Sequence, residues 1–193
     1  MDYDQFYQRL FRPIEDAFGP VDPDTIMPIV GFDFGGPVCL RTFGCGSGNE
    51  FTTYLSCELA VREDQVPSNH GRYEIFCHSD DETWASRVLT SLGQMSHEFE
   101  LGDGHTVDVS EIVGSNTLAT GVALELFASV EIDAVEYSLF RIHGLTKAEV
   151  GVARELGCDE LFARRQAAGI YPNSRTRSAP NPLDKSSRPT LPG

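Results

Sequence analysis

Apolar residues recur every four positions at Phe6, Leu10, Ile14 and Phe18, which places them on one face of a helix over residues 3–18. Pro13 lies inside that span and, having no N–H to give, predicts a kink or a break. Gly19, Pro20 and Pro23 end the helix. The pattern then changes to short runs rich in β-branched and aromatic residues: IMPIVGFDF, PVCLRTF, FTTYLSCELAVR and RYEIFCH. Glycine-rich or polar breaks separate them, so they read as strands. Alternation of Tyr54, Ser56 and Glu58 with Leu55, Cys57 and Leu59 predicts a sheet with one face wetter than the other.

A cover for that sheet begins after Ser79. The run SDDE has the spacing of a capping box, and Trp84, Val88, Leu89, Leu92 and Met95 keep helical spacing behind it. A break at LGDGH leads to strand-like residues at Val107 and Val109, then across 122–127 and 135–142. Residues 139–172 have the most legible layout: a strand through Phe140 and Ile142, a turn at Gly144, and two short helices ending near Gly169. Thr146 and Glu149 form a capping box, Gly157 stops the first helix, and Asp159 can begin the second. Val150, Ala153, Arg154 and Leu156 follow the first helix, while Leu161, Phe162 and Ala167 give the second an apolar side.

Strands grouped before a helix, then more strands and a helix pair, predict an α+β fold. The expected architecture is a single domain over residues 1–172, with a mixed or mainly antiparallel sheet covered by helices and a C-terminal helical hairpin. Residues 173–193 form a Pro- and Ser-rich basic tail expected to be disordered.

Charge narrows the partners. The chain of 193 residues has a formal net charge of −14, and residues 171–193 carry four bases against one acid, so the body is near −17. Such a surface repels phosphate backbones, which argues against nucleic acid, and complements a basic protein surface such as that of a nucleic-acid-cleaving toxin. No run of about 18 apolar residues suggests a membrane span. The acidic start MDYDQFYQRL does not read as a secretory signal, so a cytoplasmic location is expected. Cys39, Cys45, Cys57, Cys77 and Cys158 lack a C-x-x-C pair, as expected of reduced, mostly buried thiols.

The LFRIHGLTKAEVGVARELGCDELFARRQAAGIYP segment resembles the C-terminal signature of the suppressor of fused (Sufu-like) domain family in its single-domain bacterial form. The resemblance rests on Gly144, Leu145, Thr146, Glu149, Ala153, Arg154, Glu155, Gly157, Gly169 and Pro172, all with structural roles. TFGCGS, CEL, YEI, Trp84 and the pair Arg177 and Ser178 agree more weakly. The resemblance implies a non-enzymatic protein-binding domain without a cofactor. The eukaryotic family member holds transcription factors of the Hedgehog pathway by pairing a peptide strand, and bacterial relatives are proposed immunity proteins of polymorphic toxin systems. The partner implied is a basic toxin domain or an extended peptide strand, which an open sheet edge can receive through its unpaired backbone groups. No binding residue of the eukaryotic protein is carried over.

Other constellations compete with that reading. The helix pair could be a helix-turn-helix with Arg164 and Arg165 reaching DNA, but Asp159, Glu160 and the acidic body oppose it. GCGSG lacks the Lys-[Ser/Thr] ending of a phosphate loop. Cys77, His78, Asp80 and Asp81 offer the residue types of a catalytic set, yet neighbours on a strand point to opposite faces. An enzyme would have to assemble its site from distant residues. His70, His97, His105 and His143 show no ligand spacing, so no metal is expected. Trp84, Tyr54, Tyr73 and Phe140 read as core rather than interface anchors. The acids Asp80, Asp81, Glu82, Glu98, Glu100 and Asp103 are the candidate partner surface, with Glu131, Asp133 and Glu136 as lesser candidates. Partner identity and oligomeric state are open.

Overall fold

The computed structural model describes residues 3–20, 26–32, 36–44, 51–57, 59–114 and 117–174, with backbone alone for Tyr3 and for residues 26–44. Helix α1 (Tyr3–Phe18) precedes strands β1 (Ile26–Phe32), β2 (Gly36–Gly44), β3 (Thr52–Leu55) and β4 (Arg72–Ser79). Helix α2 (Glu82–Met95), strand β5 (Thr106–Asp108) and the short α3 (Ser110–Val113) follow. A long hairpin of β6 (Gly121–Ile132) and β7 (Val135–Leu145) leads into helices α4 (Lys147–Leu156) and α5 (Cys158–Ala167). Among the described residues the strands form one seven-stranded sheet in the order β1-β2-β3-β4-β7-β6-β5. Among these seven strands only β4 and β7 pair in parallel. The sheet is mixed, mainly antiparallel and open, as the element pattern predicts.

Its two faces are covered differently. On one, α2 lays Trp84, Val88, Leu89 and Leu92 over Tyr54, Tyr73, Ile75, Cys77, Phe140 and Ile142, all buried. The four aromatic residues expected in the core are there. On the other face α1 covers one end through Phe6, Leu10 and Ile14, against Leu55, Phe76 and Leu139. The α4–α5 pair covers the far end, with Ala153 and Leu161 on Ala123 and Leu145.

Several local expectations are corrected. Helix α1 runs through Pro13 without ending. Strand β3 stops at Leu55, and Tyr54, Leu55, Ser56 and Cys57 are all buried, so no wet face exists there. Ser56 is accommodated inside because it donates to Glu74 at 2.5 Å and accepts from the Ile75 N–H at 2.9 Å. The N-cap of α2 is Asp81, whose carboxylate accepts from Thr83 and Trp84, while Ser79 holds the Asp81 backbone. Gly144 is no turn but lies inside β7, where a Cβ would sit 2.9 Å from the Trp84 ring. Helix α5 begins at Cys158 behind Gly157 with no side-chain cap, so Asp159 does not start it. Leu156 is 52% exposed, and Ala167 is also exposed.

The folded body continues past Pro172. Ser174 is buried, donates its N–H to the His78 carbonyl at 2.7 Å, and accepts the Gly144 N–H at 2.8 Å. The tail beyond it, most of GCGSG, Glu58, Arg177 and Ser178 lie outside the described residues, as do Cys45 and the Cys39 side chain.

Candidate functional site

Among the described residues strand β5 ends the sheet, pairing only with β6 through Thr106↔Ala123, Val107↔Val122 and Asp108↔Gly121. On either side of it the Leu124 N–H donates to the His105 carbonyl and the Val109 N–H to the Thr120 carbonyl, both at 2.9 Å. Alternate residues of an antiparallel strand turn their backbone groups towards and away from the neighbour. With 105, 107 and 109 facing β6, the N–H and C=O groups of Thr106 and Asp108 face outward. Both residues are exposed. An unpaired edge of this kind is a template for another strand.

Beside the edge lies a cleft of about 320 Å³, lined by Thr106, Asp108, Gly121, Lys147, Val150 and Arg154 among others. Gly121 lets α4 approach this closely, since a Cβ there would lie 2.5 Å from Val150 Cγ2. Lys147 and Arg154 stand seven residues apart on α4, two turns on the same side, and both are exposed. Neither enters any ion pair among the described residues. Asp108 accepts the Ser110 N–H at 2.9 Å, and hydrogen bonding from the Ser110 side chain first and this N–H second, with the charge of Arg154 nearby, holds its carboxyl below the usual carboxylate value.

A buried ion pair holds α4 in position. Glu149 closes the capping box with Thr146 and also accepts from Arg165 on α5 at 2.8 Å. Arg165 then donates to the carbonyls of Gly144 at 2.9 Å and Asn173 at 2.6 Å. One guanidinium thereby ties α5, α4, β7 and the following chain together.

A second polar group fills the seam between α1 and the helix pair. Tyr171 donates to Glu125 at 2.8 Å and accepts from Arg141 at 2.6 Å, and His143 Nε2 lies 2.8 Å from Glu125. The Arg141 guanidinium sits 4.7 Å from the Phe127 ring centre and 5.3 Å from that of Tyr171, with Phe18 and Phe76 at 5.6 Å. Cation–π contact thus replaces part of its lost hydration. Burial, followed by the charges of Arg165 and Arg141, pushes His143 down to about 4 against the opposing pull of Glu125. The imidazole is neutral at pH 7 and donates through Nε2. Burial raises the Glu125 carboxyl, but the hydrogen bonds from His143 and Tyr171 and the charge of Arg141 outweigh it and leave it lowered.

The acidic candidates fall into two groups. Asp80, Asp81 and Glu82 stand at the start of α2, whereas Glu98, Glu100 and Asp103 follow its end. The 14-residue helix separates the groups by about 21 Å. Asp81 is engaged as the cap, and Asp103 accepts the Leu126 N–H at 2.7 Å beside β5. The pattern reading missed Thr106, Asp108 and Lys147, and it gave Arg154 a structural role. The seven-residue spacing of Lys147 and Arg154 was the available signal.

Competing sites lose their geometry. Cys77 packs under α2, while His78 lies on the opposite face, 4.4 Å from the Phe18 ring centre. Arg165 is buried, and Arg164 is bonded to Glu160 at 2.7 Å, so neither is presented to DNA as a free cation. Among the described residues no group of three or more His, Cys, Asp or Glu side chains could hold a metal ion, and no helix is long and apolar enough to cross a membrane.

An open, mainly antiparallel sheet with one helix layer on each face defines an α+β domain with an accessible edge. Neither the family profiles nor the curated proteins match this chain. Solved structures do. A crystal structure of the Sufu–Fu complex aligns at TM-score 0.63 and 12% identity, over 92% of this chain and 90% of that one. A suppressor of fused homologue from Neisseria gonorrhoeae FA 1090 aligns at 0.60 and 16%, over 86% and 92%. Drosophila Suppressor of Fused aligns at 0.53 and 13%, over 72% of this chain and 41% of that longer one. The chain has the fold of a Sufu-like domain.

Proposed function

We propose that the chain is a non-catalytic protein-binding domain of the suppressor of fused kind, which takes an extended segment of its partner along β5. The observation that carries this reading is the edge at Thr106 and Asp108, unpaired among the described residues, bordered by a cleft and presented by a fold shared with a protein solved in complex with Fu. Backbone pairing supplies affinity in such a mode, and pockets for alternate side chains supply selectivity.

The partner in this proposal is a cognate toxin with a basic surface, and the chain is its cytoplasmic immunity protein. The net charge of −14 supports that choice, as do exposed Glu98 and Glu100 and the Asp103 turn in the segment leading into β5. Asp80 and Glu82 add negative charge at the far end of α2. Covering the active surface of a toxin requires no chemistry from the chain itself.

Calorimetric titration with polypeptides encoded beside its gene tests the proposal. Saturable binding is expected, weakened at least tenfold by Thr106→Pro, which removes an outward N–H while leaving the bonds to β6 in place. Binding untouched by that substitution would exclude the edge, and absence of binding to every neighbour would exclude the immunity role.

A further inference from the structure

We infer that the strand received along β5 carries an Asp or Glu side chain whose carboxylate seats between Lys147 and Arg154. This deepens the strand-pairing reading and rests on it. Thr106 and Asp108 pair with Ala123 and Gly121, on the face where Ala123 packs under the α4–α5 pair and Gly121 meets Val150. A residue placed opposite Thr106 or Asp108 on an added strand points to that same face, over the cleft. Its neighbours in sequence point to the other face, where Val107 packs against the α2 core.

Charge selects the occupant. In a chain of net charge −14, Arg9, Arg62, Arg141, Arg164 and Arg165 each contact a carboxylate. Among the described residues Lys147 and Arg154 do not, and both line the cleft beside the open edge. The carboxylate they share the cleft with is Asp108, already hydrogen-bonded to Ser110. Two cations against that one anion leave a single positive charge, which one incoming carboxylate balances. At about 320 Å³ the cleft is at the small end for a ligand or cofactor site, and a single side chain suits it.

The acid also sets register. A one-residue slip would carry it to the opposite face, away from both cations, so one acidic position fixes the strand where backbone pairing alone would let it slide. The partner segment is thereby distinguished from a uniformly basic surface: basic residues face the acidic body, and one acid faces α4.

The probe is a displayed library of random twelve-residue peptides panned on the full chain, with selected peptides resynthesised for fluorescence anisotropy. Peptides that require the edge are identified by their loss of binding to Thr106→Pro, or by loss when alternate peptide amides are N-methylated should that variant fail to fold. These are expected to share an Asp or Glu at one position. Its replacement by Asn or Gln, or the double substitution Lys147→Ala and Arg154→Ala, is expected to raise Kd by about 10- to 100-fold. Lys147→Glu with Arg154→Glu should turn the preference to Lys or Arg. Edge-dependent peptides with no acidic position, and a Kd unchanged by the double alanine variant, would overturn the inference and leave strand pairing standing. If no selected peptide depends on the edge, strand pairing itself falls and the inference with it.

Discussion

The two faces of the sheet are built from the same strands and buried on different principles. Under α2, β4 contributes Tyr73, Ile75 and Cys77, and β7 contributes Phe140 and Ile142, an uninterrupted apolar surface. The intervening residues Glu74, Phe76, His78, Arg141 and His143 are also buried, on the face shared by α1 and the α4–α5 pair. Area removed from water stabilises the first face at roughly 25 cal/mol per Å². Buried ions on the second contribute little net energy, because desolvation offsets their attraction, but they are costly to strand alone. The dry face therefore holds the fold, whereas the mixed face fixes where the helix pair sits and hence where Lys147 and Arg154 lie relative to β5.

The largest expected effect falls on the dry face. Trp84 is 2% exposed, and its Nε1–H donates to the Ala119 carbonyl at 3.0 Å, so Trp84→Ala should lose about 4 kcal/mol in urea denaturation. A second truncation on that face should only add to the loss. Arg165→Leu should lose about 3 kcal/mol by leaving Glu149 charged and buried and the Gly144 and Asn173 carbonyls without their donor. Here a second substitution should compensate: Glu149→Leu removes the stranded carboxylate, and the double variant should recover on the order of 1 kcal/mol relative to additivity. Strict additivity would show that the two faces do not differ in kind.

Acid separates the faces without mutation. Burial comes first in lowering both His78, to about 3, and His143, to about 4, from ordinary values near 6.5. The folded chain keeps both neutral while the unfolded chain takes up protons as pH falls through 6.5. Stability from this source is complete above pH 6.5 and declines below it, until the folded values are reached. From pH 6.5 to 5.5 the decline should be about 2 kcal/mol, read as a falling urea midpoint. The lowered Glu125 carboxyl acts in the same direction, but only below the ordinary carboxylate range. His78→Asn should reduce the slope by about half, and an unchanged slope would remove that histidine from the account.

Sequence legibility follows the same division. The dry face was readable because helical and strand periods report a continuous apolar surface, as at Trp84, Val88, Leu89 and Leu92. The order and sense of the strands were not, since the parallel β4–β7 pairing depends on the whole path of the chain. The mixed face misleads just past β3, where alternation puts Ser56 on a wetter side although Glu74, 18 residues away in sequence, receives its hydroxyl. The edge site was hardest, because the outward direction of Thr106 and Asp108 depends on register with β6, and β5 has only three residues to show a period. Helix caps and hairpin boundaries at Thr146, Glu149 and Gly157 were legible because their partners lie within a turn.

Gly144 gives the smallest predicted effect and joins the two faces. Its N–H is held by Ser174, its carbonyl by Arg165, and the space for its missing Cβ by Trp84 on the dry side. If the glycine served a turn, as its place before Thr146 suggests, alanine would be penalised by backbone conformation and no distant change could relieve it. Its backbone does not lie in the left-handed region, and the obstacle to a Cβ is the Trp84 ring at 2.9 Å, with Ser174 Cβ at 3.0 Å. Gly144→Ala should therefore cost about 1.5 kcal/mol through overpacking. The touching atoms belong to the six-membered ring of the indole, which Trp84→Phe draws back, so the cost of Gly144→Ala measured in the Trp84→Phe background should fall by at least half. An undiminished cost would return Gly144 to a conformational role and separate the faces at this point.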